Sequence, residues 1–325
     1  MKHFAFSLAF FATATFTALA QGPNDSGTYY QAADGKSGYA LKTALFNIIK
    51  NPDVPSYNGL YTAYKTTDVR PDGKIWDMYS GTTNFTPGTD ENHSNFKKEG
   101  DNYNREHSMP QSWFNKANPM RCDLMHVIPT DSYVNGQRSD NPYGETDNPS
   151  YQSNGGFSKV GPGASRIGYT GKVFEPNDQY KGDFARIYFY MATCYEDKIA
   201  SWGGDMLSGN KNTVFASWAI NMLLRWAKED PVSEKEVNRN NGVFDIQGNR
   251  NPFVDYPGLE QYIWGDRKDA VFSYDNFDND LPTGIALLKQ KQDNEVLYTL
   301  TGQRVNSRVQ RRGIYIRSGR KYFCK

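Results

Sequence analysis

Three things are scarce in this 325-residue chain: cysteine, histidine and, beyond the first 20 residues, long apolar runs. Because no later stretch is long and apolar enough to cross a bilayer, we expect a soluble product without a membrane span. The three cysteines lie in no context that is typical of a nucleophile. Only four histidines are present, so a segment that combines histidine with charged and amide side chains is the natural place to look for a site.

The chain also lacks an excess of basic charge. It has 37 basic and 36 acidic residues, and ten of the basic residues lie at or after Lys289, with only Asp293 and Glu295 as acids there. Without Lys2, the body before that tail keeps 26 basic and 34 acidic residues, a net charge of −8. Such a body does not hold a polyanion by bulk electrostatics, so contact with a nucleic acid requires a local basic patch and a bound cation.

The first 20 residues have the pattern of a targeting segment. Lys2 and His3 precede an apolar run from Phe4 to Ala20 that ends in an Ala-Leu-Ala cleavage signature. This pattern predicts a secretory signal peptide and a mature chain that begins near Gln21. We therefore expect a protein that is secreted or located at the cell surface, with the periplasm as the alternative.

Export would place the cysteines Cys122, Cys194 and Cys324 in an oxidising compartment. One expectation is a Cys122–Cys194 disulfide, which would tie the motif region described below to a later helix. Unpaired, partly buried thiols are the equal alternative.

Hydrophobic periodicity predicts a mixture of helices and strands. Apolar residues recur at helical spacing in the segments 39–50, 60–68, 183–195 and 213–228. Ser233 to Glu236 is a capping-box pattern that predicts the start of a further helix. The segment 74–79 is predicted to be a strand, and the Gly-, Ser- and Pro-rich stretch 148–178 a long loop. That loop would form either one wall of a substrate groove or surface decoration.

The residues with the clearest chemical potential lie in Tyr103–Pro110, which reads YNREHSMP. An imidazole is the usual side chain for taking a proton from water near neutral pH, and a carboxylate is a hard oxygen ligand for Mg²⁺ or Ca²⁺. In an extended strand Glu106 and His107 point to opposite faces. They can flank one ion only where the strand ends and bends, as Met109-Pro110 indicates.

The segment 122–145, CDLMHVIPTDSYVNGQRSDNPYGE, supplies the partners for this strand. Residues 123–128 are a second strand candidate, 129–131 offer a turn and a helix N-cap, and 132–138 form a short helix with Asn135 and Arg138 on one face. Two strands and a helix of this kind make a compact ββα unit. Such a unit can bring Glu106, His107 and Asn135 around one cation.

These blocks, REHxxPxSW, DLMHVIPTD and VNGQRSDNPYGE, resemble secreted bacterial nucleases of the endonuclease I family, which belong to the ββα-metal (His-Me finger) group. Three later blocks match in the same order: KGDFARIYFYMATCY, DPVSEKEVNRNN and FDIQGNRNPFVDYP. The blocks lie between Arg105 and Pro257, and the resemblance covers most of the body, about residues 38 to 265. The resemblance implies an α+β fold, with a ββα-metal core embedded in a mainly helical domain and followed by a small C-terminal β tail.

The resemblance also implies roles for the site residues. His107 would be the general base, and Glu106 and Asn135 would be the ligands of a Mg²⁺ ion, for which Ca²⁺ and Mn²⁺ are alternatives. Water molecules would fill the remaining positions around the ion. This donor set agrees with Mg²⁺, which keeps several waters when bound.

Some relatives place an arginine near the scissile phosphate. Arg121 is the first candidate for this catalytic role, and Arg105 and Arg138 are the alternatives, because a guanidinium can hold two phosphate oxygens at once. Arg250 lies in the amide-rich segment 247–253, which the resemblance places near the active site. We therefore expect Arg105, Arg138 and Arg250 to contribute to substrate binding.

The predicted function is that of a secreted metal-dependent endonuclease. It would be a monomer that hydrolyses the phosphodiester bonds of DNA, and of RNA as a second substrate, to 5′-phosphate and 3′-hydroxyl ends. The alternative is a secreted protein that binds nucleic acid or glycan on the same scaffold without turnover. A metallophosphoesterase with a different substrate is a third and weaker reading.

The predicted domain organisation has three parts: a signal peptide at 1–20, a nuclease domain at 21–284 and a β-rich tail at 285–325. The tail contains EVLYTLTGQRV and RRGIYIRSGRKYFCK, which predict two or three short strands with turns at Gly313 and Gly319. It resembles the C-terminal sorting tails of secreted bacterial proteins. Its basic residues could instead bind a polyanion.

Overall fold

The computed structural model describes residues 21–91 and 95–277, together with the backbone of four strands between 297 and 324. The predicted signal peptide at 1–20 lies outside the described residues, as do Gly319 and most of the segment 278–325. Within the described part of the chain, no helix is long and apolar enough to cross a membrane.

Helices form most of the regular structure between residues 38 and 263. They are α1 (Gly38–Ile49), α2 (Gly59–Thr67), α3 (Ser132–Arg138), α4 (Lys181–Cys194), α5 (Ser217–Glu229), α6 (Glu234–Gln247), α7 (Pro252–Asp255) and α8 (Leu259–Ile263). The helices predicted from periodicity are all present, with ends within four residues of the expected ones. The capping box is also present, since the Ser233 hydroxyl accepts from the Glu236 amide at 3.3 Å and the Glu236 carboxylate from the Ser233 amide at 2.9 Å.

Helix α4 is the centre of the core, because every one of its residues is buried. It packs against α1 and α5. On α5 the buried side chains form one stripe that includes Met222, Leu223 and Trp226, as its amphipathic pattern predicts. Helix α4 starts two residues before the predicted segment 183–195, so Asp183 lies in its first turn.

The predicted ββα unit is present in the chain. Strands β1 (Tyr103–His107) and β2 (Val127–Asp131) pair antiparallel, from Tyr103 opposite Asp131 to His107 opposite Val127. Helix α3 follows β2 directly, and the Asp131 side chain caps it by accepting from the Val134 amide at 2.9 Å. The second strand begins later than predicted: residues 123–126 form a turn, and residues 129–131 belong to the strand.

Two other predictions of secondary structure are wrong. The segment 74–79 is not a strand and makes only an isolated bridge between Ile75 and Val69. Its backbone instead turns around the buried Asp77, whose Oδ1 accepts from the Tyr79 amide at 2.8 Å and whose Oδ2 accepts from the Asp131 amide at 3.1 Å. Side-chain bonds of this kind compete with strand pairing.

The stretch 148–178 is not a long loop either. It contains a three-stranded antiparallel sheet of β3 (Tyr151–Gln152), β4 (Lys159–Pro162) and β5 (Lys172–Glu175), in that order. The glycines and serines of this stretch lie largely in the short connections between these strands, which is why composition alone indicated a loop.

Cys122 and Cys194 are both buried and unpaired, so the disulfide expectation is wrong and the free-thiol alternative is confirmed for this pair.

In the tail, β6 (Leu297–Thr299), β7 (Arg304–Val305), β8 (Gly313–Arg317) and β9 (Arg320–Cys324) form an antiparallel sheet in the order β7-β6-β8-β9. Gly313 lies in β8, opposite Cys324, and not in a turn.

Candidate active site

One face of β1 is turned toward α3. The Asn135 amide nitrogen donates to Asn104 Oδ1 at 2.7 Å, and the Arg138 guanidinium forms an ion pair with Glu106. Asn104 and Glu106 are two apart on the strand, and Asn135 and Arg138 are three apart on the helix, so both pairs follow from regular geometry. The expectation that Asn135 and Arg138 share a helix face is confirmed.

The other face of β1 is turned toward the segment before α2. The His107 ring stacks on the Tyr57 ring, with 6.2 Å between centroids and 20° between planes. Arg105 donates to the Tyr57 carbonyl oxygen at 2.9 Å, and its guanidinium carbon lies 3.8 Å from the centre of the same ring. Glu106 and His107 therefore point to opposite faces, as the strand pattern predicts.

The two faces meet at an open cavity of about 740 Å³ at the end of β1. Glu106, His107 and Asn135 all line this cavity. The other lining residues come from three segments: Tyr57, Tyr61, Asn104, Arg105, Pro110, Gln111, Ser112, Lys116, Ser139 and Asp140. None of them comes from the stretch 148–178, so the structure gives that stretch no part in the wall of this cavity.

The His107 imidazole is held in one orientation and is uncharged. Its Nε2 lies 3.0 Å from the Arg121 carbonyl oxygen. Because a carbonyl oxygen only accepts, Nε2 carries the hydrogen and Nδ1 is the free base. Burial lowers the pKa of His107 to about 3, and the neighbouring His126, with its ring centroid 5.6 Å away, acts in the same direction. The imidazole is therefore neutral at neutral pH, which is the protonation state that a general base needs before it acts.

Glu106 is buried and held by two donors. The Tyr79 hydroxyl donates to Oε1 at 2.6 Å, and Arg138 pairs with the same oxygen. Burial raises the pKa of Glu106, while Arg138 and Tyr79 act against that rise. Both donors reach Oε1, so Oε2 takes no part in these two bonds and remains for another partner.

Asn135 supplies a second oxygen at the cavity. Its amide nitrogen is used by Asn104, so Oδ1 is the atom left for a ligand. A carboxylate and an amide oxygen are hard donors that suit Mg²⁺. The described residues contain no group of three or more His, Cys, Asp or Glu side chains arranged to hold a metal. An ion held by these two oxygens alone would keep most of its waters.

Two of the arginine candidates lie beside the site. Arg121 and Arg105 contact the Tyr57 ring, with guanidinium carbons at 4.2 and 3.8 Å from its centre. The Nε of Arg121 is buried and has no hydrogen-bond partner. Arg105 lines the cavity. Tyr57 thus gathers two guanidinium groups next to His107.

The other two arginine candidates lie in the interior. Arg138 is 0% exposed, and besides Glu106 it donates to the carbonyl oxygens of His107 and Ser108 at 2.8 and 2.7 Å. Arg250 is 3% exposed and pairs with Asp255. Neither guanidinium is exposed enough to contact a phosphate group. The expectation that Arg138 and Arg250 contact the substrate is therefore wrong. Both side chains are structural, because each is enclosed by its own hydrogen-bond acceptors inside the protein.

Comparison with known proteins places the chain in a family. The family model described as Endonuclease I matches residues 37–258. The chain belongs to the endonuclease I family.

Characterised relatives agree with this membership. An extracellular ribonuclease of Bacillus amyloliquefaciens is 35% identical over 265 residues, which cover 77% of this chain and 82% of the relative. An extracellular ribonuclease of Bacillus subtilis is 34% identical, over 74% of this chain and 79% of the relative. Endonuclease-1 of Buchnera aphidicola subsp. Baizongia pistaciae is 33% identical over 42% of this chain and 46% of the relative.

In this member of the endonuclease I family, sequence reasoning missed several residues at the cavity. Asn104 could have been found, because it is two residues from Glu106 and so shares its strand face. Tyr57 and Tyr79 have no such signal, since they reach His107 and Glu106 from distant segments. Lys116 also lines the cavity, and an isolated lysine carries no signal in the sequence that separates it from a solvent-exposed one.

Proposed function

We propose that this nuclease is a secreted, metal-dependent endonuclease that hydrolyses phosphodiester bonds of DNA and RNA to 5′-phosphate and 3′-hydroxyl ends. The observation that carries the proposal is the presence of His107, Glu106 and Asn135 around one open cavity. The two Bacillus relatives are named extracellular ribonucleases, which supports export and supports RNA as a substrate.

In this mechanism His107 is the general base. The Arg121 carbonyl oxygen holds Nε2–H, and the stacked Tyr57 ring limits rotation of the imidazole, so Nδ1 is directed to a water molecule in the cavity. Nδ1 takes a proton from the water as its oxygen bonds to phosphorus and the bond between phosphorus and the 3′ oxygen breaks, and a second water molecule in the open cavity gives the leaving oxygen the proton of the 3′-hydroxyl. The low pKa of His107 keeps it free of a proton before the reaction.

Glu106 and Asn135 would hold the divalent ion. When bound, the ion supplies positive charge that stabilises the transferring phosphate and the leaving oxygen. Arg105 and Arg121 bring guanidinium groups beside His107, where they can contact the phosphate oxygens. In a body of net negative charge, these local cations supply the attraction for the substrate.

The proposal is tested with the purified mature chain, supercoiled plasmid and ribosomal RNA. We expect cleavage of both with Mg²⁺, with Ca²⁺ and Mn²⁺ as further trials, and none with EDTA. His107→Ala should lower the rate by about 10²–10⁴-fold, the usual contribution of a general base. Circular dichroism and thermal melting of the variant control for its fold. An unchanged rate in a folded His107→Ala variant contradicts the mechanism, and binding without cleavage under every ion would indicate a non-catalytic binder.

A further inference from the structure

An exposed aromatic ring lies next to the proposed ion ligand Asn135. Phe96 is 36% exposed, which is unusual for a large apolar side chain in the described residues. Its ring covers Gly136 in α3, where a Cβ atom would lie 3.4 Å from ring atoms Cε2 and Cζ. Gly136 follows Asn135 directly, so the ring lies one residue along α3 from the residue that would hold the ion, outside the set of residues that line the cavity.

Phe96 belongs to a small aromatic cluster. Its ring meets Tyr133 edge-on, with 6.4 Å between centroids and 84° between planes, and Tyr133 meets Tyr151 at 6.3 Å. Tyr133 and Gly136 are three apart on α3 and so lie on one face of the helix. Tyr133 and Tyr151 are half-buried, which fixes the base of the cluster and leaves Phe96 as its exposed end. We call these three residues the Phe96 cluster.

Positive charge accompanies the exposed ring. Lys97 and Lys98 follow Phe96, and both are exposed. Their backbone amides donate to Asp101 Oδ2 at 2.7 and 3.0 Å, which fixes the turn that presents them. The nearby Glu99 carboxylate already accepts from the Ser80 hydroxyl at 2.5 Å and the Asn154 amide at 2.7 Å.

We propose that the Phe96 cluster is a base-stacking subsite for single-stranded nucleic acid. One unpaired base beside the scissile phosphate stacks on Phe96, and Lys97 and Lys98 contact the flanking phosphates. An aromatic face combined with local cations is the chemistry that binds single strands without sequence preference. A duplex hides its base faces, so it gains only from the lysines. The inference rests on the proposed function, because Asn135 sets the position of the scissile phosphate.

Binding is measured with a fluorescently labelled single-stranded 12-mer and its duplex, in the His107→Ala background that prevents cleavage. Phe96→Ala should weaken single-strand binding by about 5- to 100-fold, the loss expected for one stacked base, and should change duplex binding much less. Phe96→Tyr should keep most of the affinity. Ile246→Ala is the matched control, because Ile246 on α6 is also 36% exposed and is not part of the Phe96 cluster.

Kinetics separate this subsite from the active site. With otherwise native protein, Phe96→Ala should raise KM for single-stranded oligonucleotides and leave hydrolysis of bis(p-nitrophenyl) phosphate, which has no base, unchanged. The subsite is ruled out if Phe96→Ala binds single strands as wild type does, if duplex affinity falls equally, or if the variant changes the oligomeric state in gel filtration. If the wild type hydrolyses neither substrate, the proposed function fails, and the binding measurement still decides the subsite.

Discussion

The cavity at the end of β1 and the buried polar junction around Asp123 are built from the same kinds of side chain. In the junction, Asp123 Oδ1 accepts from the Met125 amide at 2.9 Å and from Gln247 at 2.8 Å. Its Oδ2 accepts from the hydroxyls of Tyr190 and Tyr195 at 2.8 and 2.7 Å. Both carboxylate oxygens of Asp123 are therefore saturated with donors inside the protein.

The cavity differs in what its acceptors leave unused. Asn135 commits only its amide nitrogen, and the two donors to Glu106 share one oxygen. Residue type alone therefore does not distinguish a binding site from a structural junction. What separates them is whether oxygen atoms remain unpaired at a surface open to ligand. Gln247, in the amide-rich segment that the resemblance placed near the active site, belongs to the junction, because its side-chain amide donates to Asp123.

The largest effect should come from breaking the junction. Asp123→Ala would leave two tyrosine hydroxyls, a glutamine amide and a backbone amide buried without an acceptor. We expect a loss of about 3–5 kcal/mol in the free energy of unfolding, measured by urea denaturation. Asn135→Ala at the cavity is the comparison, with less than about 1 kcal/mol lost and a weakened affinity for the divalent ion. Equal losses in the two variants would remove the distinction between the regions.

A second test concerns His126, which lies between the two regions. It is fully buried, its Nε2 is 2.6 Å from the Met120 carbonyl oxygen, and burial lowers its pKa to about 4. An unfolded histidine titrates near 6.5, so the unfolded state binds the proton first as pH falls. Stability from the neutral His126 is therefore complete above about pH 6.5 and is lost toward pH 4.

The measurement for His126 compares unfolding of wild type and His126→Gln from pH 7 to pH 4. Between about pH 6.5 and pH 4, the free energy of unfolding of wild type should fall relative to that of His126→Gln by about 1.4 kcal/mol for each pH unit. Other buried groups titrate in both proteins and cancel in the difference. A pH-independent difference would show that burial does not hold His126 neutral.

A smaller effect is expected from Arg121, one of the two arginines that contact the Tyr57 ring. Arg121→Met should lower kcat/KM by about 10- to 100-fold, because a guanidinium that stabilises phosphate charge contributes on this scale, and stability should change by less than about 1 kcal/mol. Arg138→Met is the paired variant. It should lose several kcal/mol of stability, since Glu106 would be left buried without its cation. The idea fails if Arg121→Met cleaves nucleic acid at the wild-type rate.

The smallest expected effect is a gain in stability. Gly136→Ala places a methyl group at ordinary contact distance from the Phe96 ring, in the interior of α3. Because alanine favours a helix over glycine, we expect stability to rise by about 0.5–1 kcal/mol, seen as a higher Tm. A lower Tm would mean that the Phe96 ring cannot accept the methyl group and that the contact is tighter than described.

The ββα unit was predictable because its signals are local. The Asp131 cap, the helical spacing of Asn135 and Arg138, and the end of β1 at His107 are each set by neighbours in sequence. The inward position of Arg138 was not predictable, because a charged side chain is placed inside only by tertiary partners. The turn around Asp77 and the approach of Tyr57 to His107 likewise depend on contacts between distant segments.

Arg138 restricts the relative motion of the two residues that would bind an ion. It joins α3, which bears Asn135, to Glu106 and to the backbone that follows Glu106, so the two proposed oxygen ligands cannot move independently. Their spacing is fixed when the chain folds, and the entropy of ordering them is not lost again on binding. Amide hydrogen exchange in β1 and α3 should therefore be almost the same with the divalent ion bound and after its removal by EDTA. Selectivity among divalent ions should then follow ionic radius, since a fixed pair of oxygens cannot adjust to a poor fit.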